Sequence, residues 1–334
     1  MPDRTLTINH ADGGSETYTI NRDKFAGVRS MSVDGDTVTV DHTAVPKEQS
    51  KETTFGGSQS ITIKREIEPL LSEVVGGASA AYSLRDLNDK AGNNKVVRVR
   101  RASDNAEKDF KAKEVSNGTL VDWVGAGNDG FVEAWYDQSG NGNDATQSVA
   151  GSQPKIVDAG VLVSGGIDFD GVDDRLTCPS LYSSDISVFN VVTTSNTVNT
   201  NNYMRMIHLC DGSDSFQLTR GGRGDIGKLI SKNTVFQSGT TSFLHGAING
   251  ENLISAVTSS TDTDAFVDGS LQSSISESIV GSGNNATTTI GARDDLLSSS
   301  FFAGSHAEII VYPSDQSANR EAIEANINNQ YDIY

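Results

Sequence analysis

Short alternating segments separated by turn residues restrict the fold of this chain more than any other feature of its sequence. Thr5–Ile8 and Thr17–Ile20 alternate polar with apolar residues on either side of Asp12-Gly13-Gly14. A second such pair, Met31–Val33 and Thr37–Val40, is joined through an Asp-Gly turn, which is a strong hairpin signal. Gly accounts for 33 of the 334 residues and Pro for only 6. The sequence therefore predicts an all-β protein.

The rest of the chain continues this pattern and adds one helix. Residues 96–100 alternate apolar with cationic side chains, as in a half-exposed strand. Short strands with turns between them are typical of a β-sandwich or jelly roll. At the C-terminus, Ile323, Ile327 and Tyr331 have helical spacing, and Ser317 is the expected N-cap. The predicted strands are Val96–Arg100, Phe131–Trp135, Gly166–Phe169, Ile186–Thr193, Met206–Leu209, Phe216–Leu218, Leu253–Thr258, Asp264–Val267, Thr287–Ile290 and Ala307–Tyr312.

Two modules of unequal size are expected. Residues 1–65 form a small β module of four or five strands that ends with Ile61–Lys64. Such a module has a small core and needs a partner for stability. Residues 66–75 form a linker, either a short helix or an extended connector. Residues 76–334 form the large sandwich.

Charge is distributed unevenly between the two ends of the chain. Residues 1–113 hold 17 Lys and Arg against 17 Asp and Glu, whereas residues 114–334 hold 9 against 27 and therefore carry the whole net charge of −18. So acidic a surface argues against binding to nucleic acid or to anionic membranes. The N-terminus is polar, and no stretch approaches the ~18 apolar residues of a membrane span. We expect synthesis in a host cytoplasm without a signal peptide.

Several stretches together resemble one known superfamily. They are Ala80–Arg85, Val97–Glu107, Trp135–Ala145, Asp168–Asp174 and Phe302–Tyr312. These resemble the concanavalin A-like lectin/glucanase superfamily in its laminin-G-like form. The first three are similar to the sandwich domain of α-L-arabinofuranosidase B proteins. The resemblance implies a concanavalin A-like jelly-roll β-sandwich over residues 76–334, of a kind also found in phage and virus structural proteins.

Two corners rich in Asp, Asn and Gly are candidate calcium sites. Calcium takes six to eight oxygen ligands, and both turns offer carboxylate and amide oxygens on a tight backbone. The alternative is that these side chains only cap their own turns. The candidate ligands are Asp137, Asn141, Asn143 and Asp144 at the first corner, and Asp170, Asp173 and Asp174 at the second.

Aromatic rings are candidates for carbohydrate binding, because a ring face stacks on the apolar face of a sugar. Trp123 and Tyr203 lie in polar, loop-like stretches and are the proposed carbohydrate-binding residues. Trp135 lies inside a strand pattern and is expected in the core.

Glycoside hydrolysis is the rival function that the resemblance suggests. It requires two carboxyl groups on either side of the scissile bond. Glu133 and Asp137 have like parity along one strand pattern, so their side chains are expected on one face. The arabinofuranosidases carry an adjacent cysteine pair in their site, whereas Cys178 and Cys210 are far apart in this sequence. We therefore expect a non-enzymatic protein without catalytic residues.

A small anchor followed by a lectin-like sandwich suggests a virion surface protein, such as a phage capsid decoration, head fibre or tail appendage. In this interpretation residues 1–65 bind capsid or other virion proteins and form a homo-oligomer, most simply a trimer. The acidic sandwich faces outward on the virion surface and binds host-surface glycans. The alternatives are a free carbohydrate-binding module and an arabinofuranosidase-like glycoside hydrolase.

Overall fold

The computed structural model describes residues 69–334, with gaps at 90, 184, 195–203, 211–214, 221–227, 232–241, 245–249, 259–261, 276–285 and 294–300, and five strands before residue 69. The chain divides into two compact units, Met1–Glu66 and Ile67–Tyr334. Among the described helices, none is long and apolar enough to cross a membrane.

The first unit consists of a two-stranded and a three-stranded antiparallel sheet. Both predicted hairpins are present, with Leu6 paired to Tyr18 in one and Val33 to Val38 in the other. The last strand begins earlier than predicted, because it pairs along the whole of its neighbour, with Gly57 opposite His42. The strands are β1 Arg4–Asn9, β2 Ser15–Ile20, β3 Val28–Asp34, β4 Thr37–His42 and β5 Gly57–Thr62.

The second unit is a β-sandwich with one long C-terminal helix. All ten predicted strands are present, with bounds that differ from the predicted ones by a few residues at most. Its strands are β6 Ala80–Ser83, β7 Lys95–Arg101, β8 Glu107–Lys111, β9 Gly130–Trp135, β10 Ala145–Thr146, β11 Lys155–Asp158, β12 Val161–Leu162, β13 Ile167–Asp170, β14 Leu176–Pro179, β15 Ser187–Thr194, β16 Met204–Cys210, β17 Ser215–Arg220, β18 Lys228–Ser231, β19 Ser242–Leu244, β20 Gly250–Thr258, β21 Thr263–Val267, β22 Ser270–Ile275, β23 Thr287–Ile290 and β24 Ala303–Tyr312. The α-helices are α1 Ala112–Ser116, α2 Thr119–Val124 and α3 Arg320–Tyr331.

All strand pairings are antiparallel and form two layers. The first sheet runs in the order β8-β7-β9-β10-β14-β23-β16-β17-β18-β19. The second runs in the order β6-β24-β15-β20-β21-β22. Strands β11 and β13 join the layers, because β11 pairs with β9 and β13, and β13 pairs with β24.

Apolar side chains form one core between the sheets and a second one outside the second sheet. Val99, Trp135 and Ile309 belong to the core between the layers. Ile310 and Ile323 belong to the outer core, where α3 and the N-terminal end of the unit cover the second sheet. The central strands β15 and β24 of the second sheet are therefore buried on both faces, and this explains why they are apolar at consecutive positions.

At β7 and β9 the first sheet buries mainly one face, whereas all seven residues of β16 are buried. Along β7 the apolar residues are buried and the arginines half-buried, as the pattern in residues 96–100 predicted. Trp135 is fully buried, which confirms its predicted place in the core. The outer face at β7 and β9 therefore presents the half-exposed side chains of Arg98, Arg100, Phe131 and Glu133.

Both ends of the second unit pack onto the outer core. Helix α3 begins at Arg320 after Asn319, so the prediction of Ser317 as N-cap was wrong; the segment around Ser317 forms a turn instead. Residues Leu70–Val74 form a single wide helical turn, and Leu70 is fully buried in the outer core.

Candidate functional site

A row of side chains runs from the outer face of the first sheet onto the joining strands β11 and β13. The strand register places Glu107 opposite Arg100, Arg100 opposite Phe131, Phe131 opposite Lys155 and Lys155 opposite Asp168. Directly opposed residues in antiparallel strands project from the same face. These five residues, the cross-strand row, thus follow one another over β8, β7, β9, β11 and β13.

An aromatic ring lies at the centre of the cross-strand row. The Arg100 guanidinium lies 5.0 Å from the centre of the Phe131 ring, and the Lys155 ammonium lies 5.8 Å from it. Phe131 is only half-buried and lies outside both cores. The two cations hold the ring in place on the surface.

Arg100 is held by neutral acceptors. Its Nε donates to Gln153 Oε1 at 2.6 Å, one Nη to Asn105 Oδ1 at 3.0 Å and the other to the Ala150 carbonyl at 3.2 Å. Lys155, in contrast, forms ion pairs with Asp158 and Asp129 at 2.7 and 3.2 Å. Within the described part of the chain, Arg100 has no carboxylate at ion-pair distance. It therefore keeps its positive charge uncompensated beside the ring.

Ionisable groups near the ring differ in the direction in which their pKa values are shifted. Burial raises the pKa of Asp168 and that of Glu133. The nearby Glu107 carboxylate raises the pKa of Glu133 further. Burial acts in the same direction on Asp109, but hydrogen bonds from Arg98, Lys95 and Tyr136 outweigh it and hold that pKa far below its ordinary value. The outer face thus combines fixed charges with carboxyl groups that are harder to ionise.

A β-bulge separates Glu133 from Asp137. Arg98 pairs with Ala134 but Val99 with Val132, so Glu133 is an extra residue on β9 and the alternation reverses there. The prediction that Glu133 and Asp137 share a face was therefore wrong. Glu133 stays on the outer face, 4.0 Å from Arg98, while Asp137 lies beyond the end of β9.

Hydrogen bonds tie the first corner to the start of β6. Asp137 accepts from the backbone amides of Ala81, Ser139 and Asn143 at 2.9, 2.8 and 3.0 Å. Asn141 and Asn143 donate their amides to the carbonyls of residues 78 and 79. Asp144 accepts from the Asp137 amide at 2.9 Å. Because both carboxylate oxygens of Asp137 already accept amide hydrogens, this corner matches the turn-capping alternative.

Carboxylates converge at the second corner. Asp170, Asp173 and Asp174 each have an oxygen within 4.8 Å of the others, and among the described residues they are the one such group. Asp170 Oδ1 caps the amides of residues 172 and 173, and Asp174 Oδ2 accepts from the Asp170 amide. Burial raises the pKa of Asp174 to about 7, and the neighbouring carboxylates add to this. Three clustered carboxylates fit a hard cation such as calcium, with additional oxygens from solvent or ligand.

Trp123, one of the two predicted sugar-binding aromatics, is not part of the cross-strand row. Trp123 is half-buried against the core between the sheets, with the Phe110 ring edge-on at 5.4 Å. The Arg101 guanidinium lies over the Trp123 ring at 4.6 Å, as Arg100 lies over Phe131, but Trp123 packs against the core whereas Phe131 does not. Tyr203 lies outside the described residues.

Sequence reasoning identified Asp168 only as part of the resemblance and did not single out Arg100, Phe131 or Lys155. The alternation of cations along residues 96–100 was the available signal. This alternation predicted that the cations face outward but not which residues of other strands lie beside them. That depends on strand register.

Solved structures of similar fold include α-L-arabinofuranosidases. A mutant of a family GH54 α-L-arabinofuranosidase, soaked with 4-nitrophenyl α-L-arabinofuranoside, matches with a TM-score of 0.56 and 13% identity. A GH54 α-L-arabinofuranosidase soaked with a cyclic sulfate inhibitor matches with a TM-score of 0.52 and 12% identity. Both matches cover 75% of this chain but only 62% of the enzyme. At this identity the similarity establishes the β-sandwich fold alone.

No protein-family model matches the chain, and no curated protein matches its sequence.

Proposed function

We propose that the second unit is a carbohydrate-binding domain and that the cross-strand row is its binding surface. The observation that carries this proposal is the half-exposed Phe131 ring with hydrogen-bonding groups on both sides. Sugars are bound by aromatic faces combined with charged or amide side chains that accept and donate to hydroxyl groups. Arg100 and Lys155 supply donors, and Glu107 and Asp168 supply acceptors.

The structural relatives support a glycan as the ligand class. The two GH54 enzymes, which have a similar β-sandwich fold, were soaked with an arabinofuranoside and with a cyclic sulfate inhibitor. Because a fold hosts many functions, this similarity adds support only where this chain has a suitable surface. The cross-strand row is such a surface.

Binding without hydrolysis is the activity that we propose. Asp137 is occupied by backbone amides, and Asp170 caps the amides of its own turn. One observation favours hydrolysis as the second candidate: Glu133 and Asp168 have raised pKa values, as a general acid requires. Aryl α-L-arabinofuranosides separate the two. We expect no release of the aryl group, and turnover that disappears in Glu133→Gln or Asp168→Asn would establish the enzyme.

Titration calorimetry with arabinan, xylan and glucan oligosaccharides tests the binding proposal. Phe131→Leu preserves apolar volume but removes the ring, so we expect binding to weaken about tenfold or more, as for an aromatic anchor at the centre of a site. Thr177→Ala is the matched control, because Thr177 is half-buried on neighbouring β14 and outside the row. If Phe131→Leu binds every glycan as tightly as the unchanged protein, the row is not the site.

The virion setting is also part of this proposal. Residues 1–65 anchor the protein to capsid or other virion proteins as a trimer, and the acidic sandwich displays the row to host-surface glycans. The exposed edges that small sheets leave unpaired support attachment by strand pairing. Mass spectrometry of purified particles tests the location. Light scattering on the full chain and on a chain lacking residues 1–65 tests the trimer. If both chains have the mass of a monomer, the trimer is contradicted.

A further inference from the structure

The cross-strand row has a defined length and two different ends. It crosses five strands, and neighbouring strands lie ~4.8 Å apart, so the row extends over about 19 Å from Glu107 to Asp168. Such a length exceeds that of one sugar ring several times over. The number of sugars that this surface can contact therefore depends on the number of strands that the row crosses.

One end of the row lies at the edge of the first sheet. In the described part of the chain β8 pairs with β7 alone, and Glu107 is its most exposed residue. A ligand that extends past Glu107 therefore leaves the sheet and finds no further strand to contact.

The other end is closed by the chain itself. Asp168 pairs with Ser305 on β24, and Ser305 donates its hydroxyl to the Asp168 carboxylate at 3.3 Å. Just beyond, Gly165 lies so close to Thr193 and Ser305 that an added Cβ would stand 2.6 Å from the Thr193 hydroxyl. The segment before β13 therefore covers the outer face of β24 and ends the row at Asp168.

The row also lies on an open sheet face. A ~430 Å³ cavity between Arg85, Lys113, Leu162 and Tyr331 shares no residue with the row. A pocket encloses a single terminal sugar, whereas a flat row with repeated polar groups contacts successive sugars of an extended chain.

We infer that the cross-strand row binds a linear oligosaccharide across the strands, with about four consecutive sugars in contact and the second or third of them on Phe131. This inference rests on the proposed function and specifies its ligand. Glu107 contacts the sugar at the open end, and Asp168 contacts the sugar at the closed end. Arg100 and Lys155 bind the hydroxyl groups of the sugars between them.

A ladder of linear oligosaccharides from the disaccharide to the octasaccharide, titrated calorimetrically against the full chain, tests this length. We expect affinity to rise with each added sugar up to the tetrasaccharide and to stay constant beyond it. Constant affinity from the disaccharide onward, or a steady rise up to the octasaccharide, would overturn the inference while leaving carbohydrate binding intact. If no oligosaccharide binds, the proposed function itself fails.

Single substitutions locate the open end of the row. Glu107→Gln at the exposed end is expected to weaken tetrasaccharide binding about tenfold or more, because a hydrogen bond to a charged group is lost. Disaccharide binding should stay unchanged, because the disaccharide leaves that subsite empty. Phe131→Leu is expected to weaken both ligands. Thr177→Ala should weaken neither. Equal losses for both ligands in Glu107→Gln would contradict the assignment of the open end.

Discussion

The buried ion pair between Arg85 and Glu308 should contribute more to the stability of the second unit than any surface pair. The Glu308 side chain is fully buried and that of Arg85 is 12% exposed. Arg85 Nε and Nη2 donate to the two carboxylate oxygens at 2.7 and 2.8 Å. Ser83 and Tyr331 add hydroxyl donors at 2.8 and 3.2 Å. The network joins β6, β24 and α3.

Removing Arg85 leaves the Glu308 charge buried without a cation. Loss of one partner of a buried pair costs about 3–5 kcal/mol. We expect the lower part of this range for Arg85→Met, because two hydroxyl groups still donate to the carboxylate. Glu308→Gln is expected to be destabilising as well. The double variant should lose much less than the sum, with a coupling energy of about 2 kcal/mol or more.

Urea unfolding measured by tryptophan fluorescence is the assay. Both tryptophans of the chain, Trp123 and Trp135, lie in the second unit, so the signal reports on that unit alone. Asp104→Asn is the control, since it breaks the partly exposed pair with Arg101 and should change the stability little. A loss in Arg85→Met no larger than in Asp104→Asn would refute the reasoning.

The remaining predictions concern a metal, a proton and the chain boundary. Added calcium should raise the melting temperature and EDTA should lower it, because calcium at a hundredfold excess over its dissociation constant adds ~2.7 kcal/mol to the free energy of unfolding. Asp173→Asn should abolish this response. A melting temperature of the unchanged protein that responds to neither would leave only the turn-capping interpretation. Burial lowers the pKa of His306 to about 3, below its value of about 6.5 in the unfolded chain, so stability should fall as pH decreases from about 6.5 towards 3. A His306→Gln variant with the same acid sensitivity in urea melts would contradict this. A chain beginning at Ile67 should be about 2–5 kcal/mol more stable than one beginning at Gly76, because only the longer one retains buried Leu70; equal urea midpoints would show that Leu70 contributes nothing.

The fold could be predicted from the sequence because its signals are local. Alternation along residues 96–100 predicted both a strand and its half-exposed face, and turn residues between short apolar runs predicted the sandwich. Helix α3 was predicted from the spacing of Ile323, Ile327 and Tyr331, but its start was not. N-cap geometry depends on how the preceding turn packs, and sequence preference alone does not determine this.

The bulge on β9 shows where local reasoning ends. Parity in the sequence placed Glu133 and Asp137 on one face, and a single extra residue in the pairing with β7 reversed it. The first corner is similar: its Asp and Asn residues had the composition of a calcium site, but Asp137 binds the backbone amide of Ala81, 56 residues earlier in the chain. Only the fold brings that amide within reach.

Local signals in the sequence were sufficient for the strands, for the half-exposed face of β7 and for the acidic character of the second unit. The tertiary structure decided which residues act together. Arg100, Phe131, Lys155 and Asp168 come from four strands spread over 69 residues, and no spacing relates them. They form one row because antiparallel register aligns them, and register is set by which apolar side chains fill the core on the opposite face.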